Sequence, residues 1–337
     1  MHIGIFPADV ACTNDLNFLL SLLQSQQAQA SGVKISLLQN VGELGNFHGD
    51  CAHILVSGEP PSGTDACLQK LKVPYLCSIS ATVPELFFQD RWARACIPRR
   101  EFGEYRRILA RARTILAHSP AAASLLAGHF GIPNTAFEVS CIPLIDGVKQ
   151  ESRPAFRRQD GRGPFILSYA GDYSSYSNIH RLLQAIERIN IPAVIVGRRS
   201  NSAYSLKCRT RALSISHLQI VDEDDENGET LQSALSSCEV FVDPTAHGVW
   251  NALVAKALLQ GKRSVVSSKA RLESWFGHCA EYCEPTSPEL LHHGITTALN
   301  KGSLPTDVIS RQMHHSPMQT LEHLVSTYTR VTNPIGR

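Results

Sequence analysis

Short runs of β-branched and other apolar residues alternate with longer stretches of helical periodicity along this chain, which restricts it to few folds. An apolar run, a helix and a second apolar run form the pattern of a βαβ unit, and such units build parallel sheets covered by helices. In the first half the strand candidates are residues 3–6, 34–38, 53–56, 75–78, 114–117 and 137–141, with helices across 16–29 and 101–113. Between 151 and 164 the pattern stops, because Ser, Pro, Arg, Gln, Asp and Gly crowd together as in a linker. It restarts with strands at 165–169, 193–197, 218–221, 240–242 and 264–267, and helices at 179–189, 252–260, 288–299 and 318–328. The pattern predicts an α/β chain of two Rossmann-like domains, 1–155 and 156–314, with a terminal helix at about 315–337 packing back on the first. Parallel sheets facing each other across a cleft would bind ligands at their strand ends.

Composition removes several function classes. Lys and Arg number 32 against 30 Asp and Glu, and a net charge of +2 does not suit a protein that wraps a polyanion. None of the known nucleic-acid reading modules is visible either, so no nucleic-acid partner is expected. The opening Met1-His2-Ile3-Gly4-Ile5-Phe6 lacks the architecture of a signal peptide and reads as a first strand. No apolar stretch has the length of a spanning helix. Ten cysteines without a C-x-x-C pair suggest reduced thiols and a cytoplasmic location. His278-Cys279 with Cys283 has spacing a metal could use, but no second ligand pair lies nearby, and no metal is expected.

From Phe241-Val242-Asp243-Pro244-Thr245-Ala246-His247-Gly248 through Trp250-Asn251-Ala252-Leu253 to Gly261-Lys262, the sequence resembles the GT-B glycosyltransferases, in particular the retaining nucleotide-sugar group with an E-x7-E motif. Further marks keep the family's order: Leu116-Ala117-His118-Ser119, Phe130-Gly131-Ile132-Pro133, Ala170-Gly171 with Asn178-Ile179, and Ile195-Val196-Gly197. The resemblance covers about 114 to 299 and reaches the first hundred residues by architecture alone. It implies transfer of a sugar from a UDP- or GDP-sugar, with no metal cofactor required, to a glycan, lipid-linked or small-molecule acceptor. The donor would sit in the C-terminal domain and the acceptor on the N-terminal one.

Several family positions are changed. The Arg and Lys that ordinarily neutralise the donor diphosphate align with Asp172 and Ser177, and the two motif glutamates with Gly248 and Lys256. The usual N-terminal-domain histidine aligns with Ser80, and a Gly-Gly loop is replaced by Asp9-Val10-Ala11-Cys12-Thr13. These losses open a second reading, a catalytically silent homologue that binds a partner protein or a sugar ligand. A third is another sugar-nucleotide enzyme of this fold, such as an epimerase.

Other groups in the sequence offer the chemistry instead. Gly248-Val249-Trp250-Asn251 at a helix start would present backbone N–H groups to phosphate, beside the loop of Gly171. Arg198 and Arg199 follow a strand, where a guanidinium fork can take phosphate oxygens, and Lys256 lies one turn into the next helix. His247 can exchange a proton near neutral pH, and Asp9 is placed to act as a base or to orient an acceptor. A glycine turn, a solvated Arg-rich loop, an exposed helix lysine, a loop histidine and a turn aspartate are the structural alternatives. Eight arginines between Arg91 and Arg113, with only Glu101 and Glu104 against them, form a basic segment. Arg91, Trp92, Arg94, Arg99 and Arg100 read as a patch for an acceptor phosphate or for peripheral contact with an anionic inner membrane face, the alternative being a solvated helix. The acidic run Asp222-Glu223-Asp224-Asp225-Glu226 reads as an exposed loop.

Overall fold

The computed structural model describes residues 1–8, 19–20, 22–24, 31–56, 61–79, 99–117, 120–140, 156, 158, 161, 163–171, 173, 177–223, 228–245, 252–270, 272–305 and 317–333. The chain divides into two compact units, Met1–Asp146 with His315–Arg337, and Gly147–His314.

Unit 1 holds a six-stranded sheet of β1 (His2–Pro7), β2 (Lys34–Leu37), β3 (Cys51–Val56), β4 (Tyr75–Ile79), β5 (Ile115–Ala117) and β6 (Phe137–Val139), in the order β2-β1-β3-β4-β5-β6. All its pairings are parallel. Both faces are covered, which explains why the strands read as nearly continuous apolar runs. Alternate residues separate the two layers. Ala52, Ile54, Val56, Cys77 and Ile79 pack with α1 (Val41–Gly45), α2 (Thr64–Lys70), α3 (Arg99–Arg111) and α4 (Pro120–Phe130). Ile3, Ile5, Cys51, Leu55 and Leu76 face the opposite layer, with Leu19, Leu22 and Leu23 from the 16–29 segment and Leu321, Leu324 and Tyr328 from the last described helix, Pro317–Thr332.

That last helix is fixed by a polar pin within an apolar layer. His53 on β3 is fully buried, with Nδ1 at 2.7 Å from the Tyr328 hydroxyl and Nε2 at 2.6 Å from the Ser78 hydroxyl. A neutral imidazole has one donor and one acceptor nitrogen, and hydroxyls can serve as either, so all three groups are satisfied. At the sheet edge Glu138 accepts from Arg330 and from Thr327 Oγ1.

Unit 2 contains β7 (Ile166–Tyr169), β8 (Ala193–Gly197), β9 (Leu218–Asp222), β10 (Val240–Asp243), β11 (Arg263–Ser267) and β12 (Ala280–Cys283). Its order is β9-β8-β7-β10-β11-β12, parallel throughout. The chain winds outward from β7 to β9, then returns to lay β10 against the free side of β7. The helices of the unit are α5 (Ile179–Ile186), α6 (Ala203–Ala212), α7 (Glu229–Ser237), α8 (Ala252–Leu259), α9 (Glu273–Phe276) and, after the last strand, α10 (Pro288–Lys301); Pro317–Thr332 is α11. Ile179, Leu182, Leu183 and Ile186 of α5 join Leu291, Ile295 and Ala298 of α10 in one core. At the start of α10 Ser287 Oγ accepts from Leu290 N at 3.2 Å, with Pro288 in the first turn, where its missing N–H costs nothing.

The six strands of unit 1 and five of unit 2 lie where the alternation predicts them, to within two residues at each end. β12 escaped sequence reading because Ala280-Glu281-Tyr282-Cys283 is half polar, as suits a sheet edge.

Burial holds the His53 pKa down to about 3. Its neutral state therefore contributes stability that is complete above the unfolded-chain pKa near 6.5 and is lost as pH falls from there towards 3. Urea unfolding midpoints measured across that window should fall with acid, and His53→Gln should flatten the dependence by about one proton.

Candidate functional site

In an open α/β sheet, ligands bind outside the carboxyl ends of the strands where the strand order reverses. In unit 2 that point lies between β7 and β10, so the described residues after these strands, 170, 171, 173, 177 and 178 with 244 and 245, define the candidate site.

The segment after β7 folds over the end of β8. Ala170 N donates to Val196 O at 2.8 Å, and Arg198 N donates to Gly171 O at 2.8 Å. Gly171 has φ +53°, the left-handed region that favours glycine. Gly197 is required for a different reason. A Cβ there would stand 3.0 Å from Ala170 Cβ, Gly171 O and Tyr173 Cε2, so the close approach of the two segments depends on a bare backbone.

Asn178 organises the remaining strand ends. It is buried, takes φ +55° and precedes α5, with its carbonyl accepting from Arg181 N and Leu182 N. Its side-chain Nδ2 donates to Pro244 O at 2.8 Å and to Pro285 O at 2.6 Å. One amide thus ties the segments after β7, β10 and β12. The two acceptors lie in matching tripeptides, Asp243-Pro244-Thr245 and Glu284-Pro285-Thr286. In each, the carboxylate accepts from the threonine N–H two residues on, at 3.2 Å for Asp243 and 3.3 Å for Glu284. The turn keeps the proline carbonyl free of the ladder and available to Asn178. Hydrogen bonds from Thr286, followed by Lys269, hold Glu284 below the usual carboxylate range.

Behind the start of α5, the His180 N–H and ring Nδ1 lie 3.2 and 2.9 Å from the Tyr204 hydroxyl on α6. Burial first, then Arg181, Lys207 and Arg211, lower the His180 pKa.

Of the residues singled out from sequence, the structure joins Gly171 to Arg198 through the backbone bond above. The side chains of Arg198 and Arg199 are exposed at the end of β8, and Lys256 is half-buried on α8. His247, Gly248, Val249, Trp250, Asn251, Asp9, Arg91, Trp92 and Arg94 lie outside the described residues, as do the side chains of Arg99 and Arg100 in the first turn of α3. Ser177, which aligns with the family's lysine, is buried.

Two charge readings change. Within the Arg91–Arg113 segment, Arg107 Nε and Arg111 Nη1 bind Asp65 of α2 at 2.6 and 2.7 Å, so the excess of positive charge there is smaller than a count within the segment gives. The compensating acid is about forty residues away in sequence, beyond any local window. At the head of the acidic run, Asp222 binds Arg209 through two bonds of 2.5 and 3.1 Å. Glu223 accepts from Thr230 N and Leu231 N at 3.2 and 2.6 Å, closing the N-terminus of α7. Among the described residues, no three His, Cys, Asp or Glu side chains converge as a metal site. Cys279 and Cys283 are buried, and burial pushes the Cys283 thiol up to about 12.

No protein-family model and no curated protein sequence matches the chain. Solved structures do. The chain resembles Anabaena Alr3699/HepE in complex with UDP, at TM-score 0.64 and 11% identity over 98% of this chain and 100% of that one. It resembles a glycosyltransferase from Rickettsia africae at TM-score 0.63 and 11% identity, over 98% of both chains. A sucrose-phosphate synthase from Thermosynechococcus elongatus matches at TM-score 0.63 and 13% identity, over 98% of this chain and 96% of that one. The architecture is that of the GT-B structures, two Rossmann-like domains with six-stranded parallel sheets.

Asn178→Gly keeps the left-handed backbone but deletes both donors, leaving two buried carbonyls unpaired at a cost of about 2–4 kcal/mol by chemical denaturation. Asn178→Asp should cost more, since a carboxylate would face the carbonyls of Pro244 and Pro285 with no proton to offer.

Proposed function

We propose that this protein is a glycosyltransferase that moves a sugar from a nucleotide-diphosphate donor, UDP- or GDP-linked, to a glycan, lipid-linked or small-molecule acceptor with retention of configuration. The observation that carries this reading is the likeness along nearly the whole length of both chains to a glycosyltransferase structure and to a structure in complex with UDP. The strand reversal between β7 and β10 adds physical support, because it leaves a crevice edge where a nucleotide can bind.

In this proposal the donor diphosphate is held by backbone N–H groups of Gly248, Val249, Trp250 and Asn251 before α8 and by the guanidiniums of Arg198 and Arg199. Preorganised donors of this kind stabilise charge as it develops on the departing diphosphate. Lys256 supplies a further cation, His247 contacts a sugar hydroxyl or moves a proton, and Asp9 orients the acceptor. No metal is needed, since the cations are the protein's own. The acceptor belongs to unit 1, where Arg91, Trp92, Arg94, Arg99 and Arg100 offer a basic surface, and the protein works in the cytoplasm.

One observation favours a second reading, a catalytically silent homologue that serves a partner protein. The position aligned with the family's diphosphate lysine is buried Ser177, and Gly248 and Lys256 replace the motif glutamates.

Calorimetric titration with UDP, GDP, CMP and ADP separates the two. The transferase reading expects one diphosphate to bind at sub-millimolar concentration. Replacing Arg198 and Arg199 together by Ala should weaken it about tenfold or more while changing nucleoside affinity little. No binding by any of the four, alone or with a partner subunit, would leave only the silent homologue.

A further inference from the structure

Asn178 keeps its left-handed backbone without any side-chain bond to its own helix, because its amide hydrogens go to Pro244 and Pro285. Asparagine tolerates that region better than most residues, yet it still has to be held there. What holds it comes from α6. The residues on either side of Asn178 reach one oxygen, the Tyr204 hydroxyl, which lies 3.2 Å from His180 N and 2.9 Å from His180 Nδ1. The Ser177 hydroxyl is hydrogen-bonded to the same oxygen. The His180 and Tyr204 rings meet edge to face with centroids 5.7 Å apart, and Tyr204 packs against the core of unit 2. Tyr204 is itself fixed in the first turn of α6, where Ser202 Oγ accepts from Ser205 N at 3.1 Å.

A hydroxyl offers one proton and two lone pairs. With His180 neutral, the Tyr204 proton goes to Nδ1, while the His180 backbone N–H and the Ser177 hydroxyl fill the two lone pairs. A protonated ring would bring Nδ1–H as a third donor to the same oxygen, and Ser177 would lose its place. The surroundings keep the ring neutral at neutral pH. Burial first, then Arg181 on α5 and Lys207 and Arg211 on α6, lower the His180 pKa. Cys208, the other titratable group beside the hydroxyl, stays a thiol because burial raises its pKa.

We propose that Tyr204 is a positioning residue, whose hydroxyl clamps Ser177 and His180 and so holds Asn178 in the turn from which it ties Pro244 and Pro285. The clamp needs neutral His180 and opens in acid. Ser177, at the position aligned with the family's lysine, therefore serves the shape of the edge and not its charge. The consequence for a ligand rests on the transferase reading: the edge that Asn178 ties meets the donor, and Tyr204 sets the affinity for a nucleoside diphosphate without touching it.

Tyr204→Phe keeps the ring and deletes only the shared oxygen. Amide hydrogen exchange of the full-length protein reads the clamp without any ligand. At neutral pH the amides of His180, Arg181 and Leu182 should exchange about tenfold faster in Tyr204→Phe, while those of α10 stay as they are. Ser177→Ala should speed the same amides less, and should add nothing to Tyr204→Phe. As pH falls below 6.5, the ratio of variant to wild-type rates should drop towards one, since protonation of His180 opens the clamp in the wild type as well. A bond of structural value alone would keep that ratio at every pH. Calorimetry with UDP and GDP then reads the consequence, and the diphosphate that binds the wild type should bind Tyr204→Phe about tenfold more weakly. Unchanged exchange, or a ratio that ignores pH, overturns the clamp; undiminished diphosphate affinity overturns its link to the donor. If Tyr204→Phe unfolds, Ser177→Ala carries the same comparison. Faster exchange in a protein that binds no nucleotide keeps the clamp and removes the transferase reading, so the two failures are told apart.

Discussion

The strand ends of the second unit are held together by one buried amide. Asn178 donates both of its side-chain hydrogens, to the carbonyls of Pro244 and Pro285, while its backbone turns the chain into α5. The edge of the crevice between β7 and β10 is therefore set by a residue that has no charge and no reactive atom. The arrangement needs an unpaired carbonyl at the end of each partner strand. The acid-Pro-Thr turns provide it, since proline cannot donate to a ladder and the acid occupies the following N–H. Gly197 completes the same edge by letting the Gly171 segment lie against β8.

The first unit uses a buried polar contact for another purpose. His53, Ser78 and Tyr328 join two strands to a helix that returns from the far end of the chain. Apolar packing of Leu321 and Leu324 can hold that helix to the sheet, but such packing is non-directional. Hydrogen bonds at 2.6–2.7 Å fix its register. The two units thus share a device: an apolar layer supplies adhesion, and a neutral side chain with satisfied donors and acceptors supplies position.

Charge is distributed on different terms. Asp65 quiets two arginines of α3, while Asp222 and Glu187 each hold a cation of α6. Such pairings lower the positive charge that these helices carry to solvent. A basic segment and a basic surface are different things, because partners distant in sequence decide how much charge reaches solvent.

The sequence by itself determined the fold class. Parallel strands buried on both faces must be apolar along their length, and that requirement is written locally, as in Ile195-Val196-Gly197 or Phe241-Val242-Asp243. It also pointed to the strand-end segments at Gly171 and Arg198 as candidates, and the structure joins these two by a backbone hydrogen bond. Asn178 was visible as a family mark, but nothing local revealed that it binds carbonyls 66 and 107 residues away; the repeated acid-Pro-Thr was the only trace. Tertiary structure alone decided which strands became neighbours and which arginines were neutralised. Each of those outcomes depends on contacts between segments far apart in the chain, and such contacts leave no periodicity to read.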